Sequence, residues 1–129
     1  LFLGKIYASA TGRVLLSHMA PAAVAELAGS IGLPDEGSWS GVDTLPKLLQ
    51  ELDAVEKLSC LRVDEISPEG FGESKYATYI TNQRGVGAAI GLFIPRVPGD
   101  CVTEQENRRV IDILQKGTRE INHRLRFEA

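Results

Sequence analysis

The feature that most constrains this chain is a double change of hydrophobic period. Up to residue 56 the apolar residues recur at helical spacing. Val14, Leu15, His18 and Met19 share one short face. Val24, Leu27 and Ile31 share a second, and Leu45, Leu48, Leu49, Leu52 and Val55 a third. From residue 58 to 94 the pattern alternates instead, in three runs at 58–66, 75–81 and 86–94, divided by Pro68, Gly70 and Gly72 and by Asn82-Gln83-Arg84-Gly85. The helical period then returns in Val110, Ile111, Leu114, Ile121 and Leu125. Three helices, three antiparallel strands and one long helix make an α+β layered domain. With 129 residues it is long enough for one core and one domain, 1–129.

Local chemistry agrees with those boundaries. Ser9 or Thr11 suits a helix N-cap, because a hydroxyl accepts from the first free N–H groups. Pro21 and Pro46 suit first turns, where a missing N–H costs nothing. Asp43 or Thr44 caps the third helix, and Gly32-Leu33-Pro34 stops the second. Thr103 and Glu106 have the spacing of a capping box at the start of the last helix.

The strand "VGAAIGLFI" has two unlike faces. Val86, Ala88, Ile90, Leu92 and Ile94 form a mostly large apolar face, expected to bury against helices. Gly87, Ala89, Gly91 and Phe93 form the other, with little side-chain volume before Phe93. Two readings stay open. Either a helix packs unusually close over the small residues, or they floor a ligand cavity.

"YASATGRVLLSHM" poses a related question at residues 7–19. A phosphate loop needs a glycine-rich turn with a placed lysine, and "SATGR" has neither. A helix N-terminus remains. Ala10, Thr11 and Gly12 are small enough for an anion to reach unpaired N–H groups there. The alternative is a plain cap with close packing.

These stretches resemble one family. "YASATGRVLLSHM" is similar to A-[ST]-A-x-G-[KR]-x-L-L through Ala8, Ser9, Ala10, Gly12, Arg13, Leu15 and Leu16. Val63 and Asp64 fit V-D-[DE]-E. Val86, Ala88, Ala89, Ile90, Leu92 and Pro95 fit V-x-A-A-[LI]-S-V-S-x-P. Glu120, Ile121, Arg124 and Leu125 fit the final A-E-I-S-R-x-L. In this order the motifs resemble the C-terminal effector-binding domain of IclR-family bacterial transcription regulators.

The resemblance implies a GAF-like fold, with "VGAAIGLFI" as its central strand. It also implies that roughly the first third of the effector domain and the helix-turn-helix domain are absent from this chain. DNA is then reached only through that other domain. The implied partners are a small-molecule effector and further copies of the chain, as a homodimer or tetramer. The implied site is Ala10, Thr11, Gly12, Asp64, Tyr76, Ala89, Gly91 and Phe93. The two serines that face the family's effector are replaced by Gly91 and Phe93. Lys75 or Tyr76 stands where the family has a pocket cysteine. Loss of the hydroxyls favours an effector flatter or more apolar than a two- or three-carbon acid, with any carboxylate at Thr11 and Gly12. An oligomerisation module with a collapsed pocket, filled by Phe93, is the competing reading.

Other functions find little support. A net charge of −3 gives no bulk attraction to nucleic acid. No apolar run reaches membrane-spanning length and no signal-peptide pattern is present, so a cytoplasmic location is expected. The chain starts at Leu1. Cys60 and Cys101 lack metal-ligand spacing and read as reduced thiols. Asp64 and Glu65 point to opposite faces, against a paired acid and base. His18 and His123 stand alone on helices, and the arginines of the last helix are offset by Glu104, Glu106, Asp112, Glu120 and Glu128. With no triad, metal set or cofactor loop, no enzyme activity, catalytic residue, metal or cofactor is expected.

Overall fold

A computed structural model describes the backbone of residues 5–128 and the side chains of residues 5–125. Four helices and three strands follow in the expected order: α1 (Ala10–Ser17), α2 (Pro21–Ile31), α3 (Leu45–Glu56), β1 (Leu61–Ile66), β2 (Gly72–Thr81), β3 (Gly87–Arg96) and α4 (Glu104–Glu128).

The helix starts obey their cap chemistry. Ser9 Oγ accepts from the Gly12 N–H at 3.0 Å, Thr44 Oγ1 from Lys47 at 3.3 Å, and Thr103 Oγ1 from Glu106 at 3.1 Å. Pro21 and Pro46 sit in first turns. Gly32 ends α2 at φ +92°, and its carbonyl accepts from the Tyr7 hydroxyl at 2.7 Å.

The sheet is antiparallel in the order β1-β2-β3, so β2 is its centre. Ala77 lies between Leu61 and Gly91, Tyr76 between Arg62 and Leu92, and Lys75 between Val63 and Phe93. Alternation then assigns the faces. Leu61, Val63, Ala77, Tyr79 and Ala89 pack with Ala10 and Val14 of α1 and Val55 of α3. Tyr76 and Thr78 face the other way, beneath α4. There Tyr76 Oη donates to Asn107 Oδ1 at 2.8 Å, and the Thr78 and Thr118 hydroxyls meet at 2.6 Å. A second core joins the helices through Leu16, Val24, Leu48 and Leu52. The domain is thus three layers: α1–α3, sheet, α4.

Two expectations need correction. Among the described residues, β3 is an edge strand and not the central one. Its large face is in consequence only partly covered, because α4 runs chiefly over β2. Ile90, Leu92 and Ile94 are half-buried and Val86 is exposed. Pro95 fits this edge, since it has no N–H to offer a further strand.

Candidate functional site

The first turn of α1 is crossed by the chain before it. Ala8 and Ser9 donate to the Lys5 carbonyl, and a Cβ added at Gly12 would strike the Ile6 carbonyl oxygen. Gly12 is therefore a packing glycine. Its N–H is held by Ser9 and its open side is closed by backbone, so no anion reaches it. Arg13 completes this clamp. Its Nε donates to the Tyr7 carbonyl at 2.6 Å, its Nη2 to the Ser38 carbonyl at 3.1 Å, and its guanidinium lies 4.1 Å over the Trp39 ring. Burial lowers its pKa, and Glu65 and Glu51 partly oppose that.

The small face of β3 is filled from two sides. A Cβ at Gly87 would overlap the Tyr79 hydroxyl, and one at Gly91 would lie 2.6 Å from the Thr11 methyl. Tyr79 is held there by stacking on His18, with ring centroids 3.7 Å apart. Close helix packing thus accounts for most of the hollow. What stays open is a groove of about 270 Å³ beside Gly91, lined by Ser9, Ala10 and Thr11, by Lys75, and by Gly91 and Phe93. Phe93 is 63% exposed at its rim. Lys75 supplies its cation, and Lys75 Nζ meets Glu65 Oε1 at 2.9 Å. The N–H groups of Ala10 and Thr11 are the first of α1 and have no intrahelical acceptor. A second depression of about 410 Å³ adjoins the groove through Ser9 and Lys75 and reaches Lys5, Asp35 and Glu65.

Of the residues expected in the site, the fold brings together Ala10, Thr11, Gly91 and Phe93. Ala89 lies on the same sheet face but packs into the core beside α1. Asp64 and the Tyr76 side chain lie on the opposite face of the sheet, where Tyr76 is buried against α4 and Asp64 is exposed. The Tyr76 ring is fully buried, so it reaches the groove only through its main chain, whose carbonyl lies below Gly91. Burial raises the Tyr76 hydroxyl pKa. Asp64 pairs with Arg62 at 3.0 Å. Burial pushes its carboxyl up, but hydrogen bonds from Arg62 and Ser74 and the charges of Arg62 and Arg96 outweigh that and hold it low. This cluster anchors α4, since Arg62 Nη1 also donates to Asn107 at 2.9 Å. Between the two candidates for the family's cysteine position, Lys75 faces the groove. Ser9 lines it as well as capping α1.

A larger depression of about 340 Å³ lies elsewhere, between the α1–α2 turn and α3, lined by Leu16, Pro21, Leu52, Asp53 and Glu56 among others. It has an acidic lip, and Lys57 is tied to Asp53 at 3.0 Å. Among the described residues no cluster of three His, Cys, Asp or Glu could hold a metal ion, and no helix is long and apolar enough to cross a membrane.

Solved structures share this fold. A double mutant of the PobR transcription factor inducer-binding domain from Acinetobacter, in complex with 3-hydroxybenzoic acid, superposes with a TM-score of 0.69 at 21% identity. The C-terminal domain of the E. coli transcriptional regulator KdgR gives 0.68 at 21%. An IclR transcriptional regulator from Alicyclobacillus acidocaldarius gives 0.65 at 12%. The chain has the fold of an IclR-type effector-binding domain. The matches cover 91%, 93% and 92% of this chain, and the chain spans 66%, 70% and 45% of theirs. No family model matches the sequence, and no curated protein does.

Proposed function

We propose that this chain is the sensor part of an IclR-type transcription regulator, and that it takes a small, flat organic acid in the groove between α1 and β3. The observation that carries the reading is the composition of that groove. One lysine, Lys75, stands beside an exposed aromatic, Phe93, over a strand face with no bulk at Gly91. A carboxylate can exchange places with Glu65 on Lys75 while an aromatic ring lies against Phe93. A double mutant of the inducer-binding domain of PobR, which has this fold, is complexed with a benzoic acid derivative. Regulation then works through a DNA-binding domain outside this chain, whose own charge of −3 does not favour duplex DNA.

Calorimetric titration with hydroxybenzoates and with pyruvate tests this. The aromatic acids bind and pyruvate does not. Lys75→Met removes a charge-assisted contact of about 1.5–3 kcal/mol, which weakens binding roughly ten- to a hundredfold. Absence of binding by every aromatic acid tried, or unchanged affinity in Lys75→Met, refutes the site. The second reading, an interaction module without a ligand, is favoured by one observation: Thr11 and Tyr79 already occupy most of the hollow.

A further inference from the structure

Arg119 of α4 has no acid placed to balance it. Arg108 and Arg124 each pair with a glutamate four residues earlier, Glu104 and Glu120, at 3.3 Å. Arg109 has Glu106 and Asp112 three residues to either side. The residues three and four from Arg119 are Gln115, Lys116, Asn122 and His123, and none of them is acidic. Its sequence neighbour Glu120 is turned to Arg124. Among the described residues Arg119 forms no ion pair.

Arg119 instead lines a pocket of about 240 Å³ with Ser59, Thr78, Tyr79, Gln115 and Thr118. No carboxylate is among these. The floor is fixed by two buried hydroxyls, Thr78 and Thr118, which meet at 2.6 Å, and Thr118 Oγ1 donates onward to the Leu114 carbonyl at 2.8 Å. Gln115 Nε2 donates to Ser59 Oγ at 2.7 Å, which leaves the Ser59 O–H and the second N–H of Gln115 to turn to a ligand. Tyr79 adds a main-chain donor, because its ring stacks on His18 at the opposite face of the sheet. The Asn82 N–H donates to the Val86 carbonyl, so these two form a hydrogen-bonded pair, and such pairs recur every second residue. Ile80, Thr78 and Tyr76 therefore direct their main-chain groups to β3, and Thr81, Tyr79 and Ala77 direct theirs to the β1 side. β1 begins at Leu61, opposite Ala77. Beyond that point Asn122 Oδ1 of α4 accepts from the Thr81 N–H at 3.4 Å, and among the described residues no strand reaches the Tyr79 N–H.

We infer that this pocket is a second ligand site, and that it takes a phosphate group, either as inorganic phosphate or as the phosphate end of a small monoester. The donors come from three parts of the fold: Arg119 and Gln115 from α4, Ser59 from the approach to β1, and the Tyr79 N–H from β2. Donors converging from several sides suit a tetrahedral oxyanion, which offers an acceptor in each direction, better than a carboxylate, whose two oxygens share a plane. The guanidinium supplies the charge and a forked pair of N–H groups. A cation would find no anionic partner among the lining residues. The bound anion ties α4 to β2 and to the segment leading into β1, so binding also stabilises the fold by mass action. The pocket lies on the far side of β2 from β3, and the inference is independent of the groove between α1 and β3.

Nuclear magnetic resonance of the intact chain, titrated with sodium phosphate against sodium chloride at matched ionic strength, tests it. Millimolar phosphate shifts the Tyr79 amide, the Gln115 side-chain amide and Arg119 Nε saturably and together. The amides of Lys75 and Gly91 in the other groove do not move, and Tm rises. A parallel titration with glycerol 3-phosphate names the source. Tighter binding than inorganic phosphate assigns the site to a monoester, and equal or weaker binding assigns it to the free anion. Arg119→Gln alters an exposed side chain and keeps the helical circular dichroism, yet weakens binding roughly tenfold or more. Lys116→Gln removes the same charge one residue away, outside the pocket, and leaves the affinity unchanged. Gln115→Glu places a carboxylate in the pocket and abolishes binding, which serves if Arg119→Gln fails to fold. Shifts that do not saturate, or that chloride reproduces, overturn the inference. So does equal weakening by Arg119→Gln and Lys116→Gln, which would mark a diffuse attraction to the basic side of α4.

Discussion

Replacing Gly12 by alanine opposes two effects of known size. In a helix interior the exchange stabilises by about 1 kcal/mol, because glycine loses more backbone freedom on folding. Here the new Cβ would strike the Ile6 carbonyl oxygen and lie 2.7 Å from both the Ile6 carbonyl carbon and Ser9 Oγ. A backbone carbonyl cannot rotate away as a side chain can, so the turn over α1 must shift. Overpacking of this kind costs about 1–3 kcal/mol. Movement of Ser9 also loosens its cap on the Gly12 N–H, which is worth about 1 kcal/mol. The clash and the lost cap together exceed the propensity gain, leaving a net loss of about 2 kcal/mol. For a domain of this size that lowers Tm by roughly 8 °C. Urea denaturation at constant m-value, with a thermal scan beside it, measures the change. A Gly12→Ala protein as stable as the parent, or more so, would show that the 5–8 turn does not close over α1. The N-terminus of α1 would then be open, as the anion-binding reading of "SATGR" requires.

Three further outcomes follow from named contacts. Arg13→Met leaves the Tyr7 and Ser38 carbonyls without their donor and removes the contact over Trp39, a loss of about 2–4 kcal/mol in urea denaturation, and Arg13→Lys recovers only part of it because a point charge cannot make both bonds. In thiol titration with an aromatic disulfide, exposed Cys101 reacts first and Cys60 lags, since burial raises its pKa and keeps it as the thiol. Asp64 has a folded pKa below its unfolded one, so its contribution is complete above the unfolded value and is lost as pH falls through the folded value; Asp64→Asn flattens that acid limb by well under about 1 kcal/mol, because the side chain is half exposed and screened.

The element order was legible because each segment carries its own period and punctuation. Pro21, Pro46, Gly32, Ser9, Thr44 and Thr103 act where they stand, through local hydrogen bonds that any tertiary context would keep. Position within the sheet was not legible in the same way. "VGAAIGLFI" is the most apolar of the three strands and has the composition of a buried one, yet among the described residues it pairs with β2 alone. β2 carries Glu73, Ser74, Lys75 and Thr78, and is central because Ser74 and Thr78 find partners in Arg96 and Thr118. Burial of β2 rests on satisfied polar groups, which a reading by hydrophobicity undervalues.

The candidate site turned on a register of one residue. Whether Tyr76 or Lys75 faces the small side of β3 decides whether the groove is aromatic and neutral or holds a cation. The turn at residues 82–85 carries enough to choose. Gly85 takes φ +80°, and Asn82 closes on Val86, so counting back along both strands sets Lys75 against Phe93 and Tyr76 against Leu92. The same count puts Asp64 beside Ser74, on the face of the sheet away from the groove, although V-D-[DE]-E resembles a pocket motif. One slip in that count exchanges every side chain between the faces. A family motif locates a residue along the strand. Only the hairpin register, anchored at Asn82 and Gly85, says which side of the sheet its side chain serves, and here it gives Lys75 to the groove and Tyr76 to the anchor of α4.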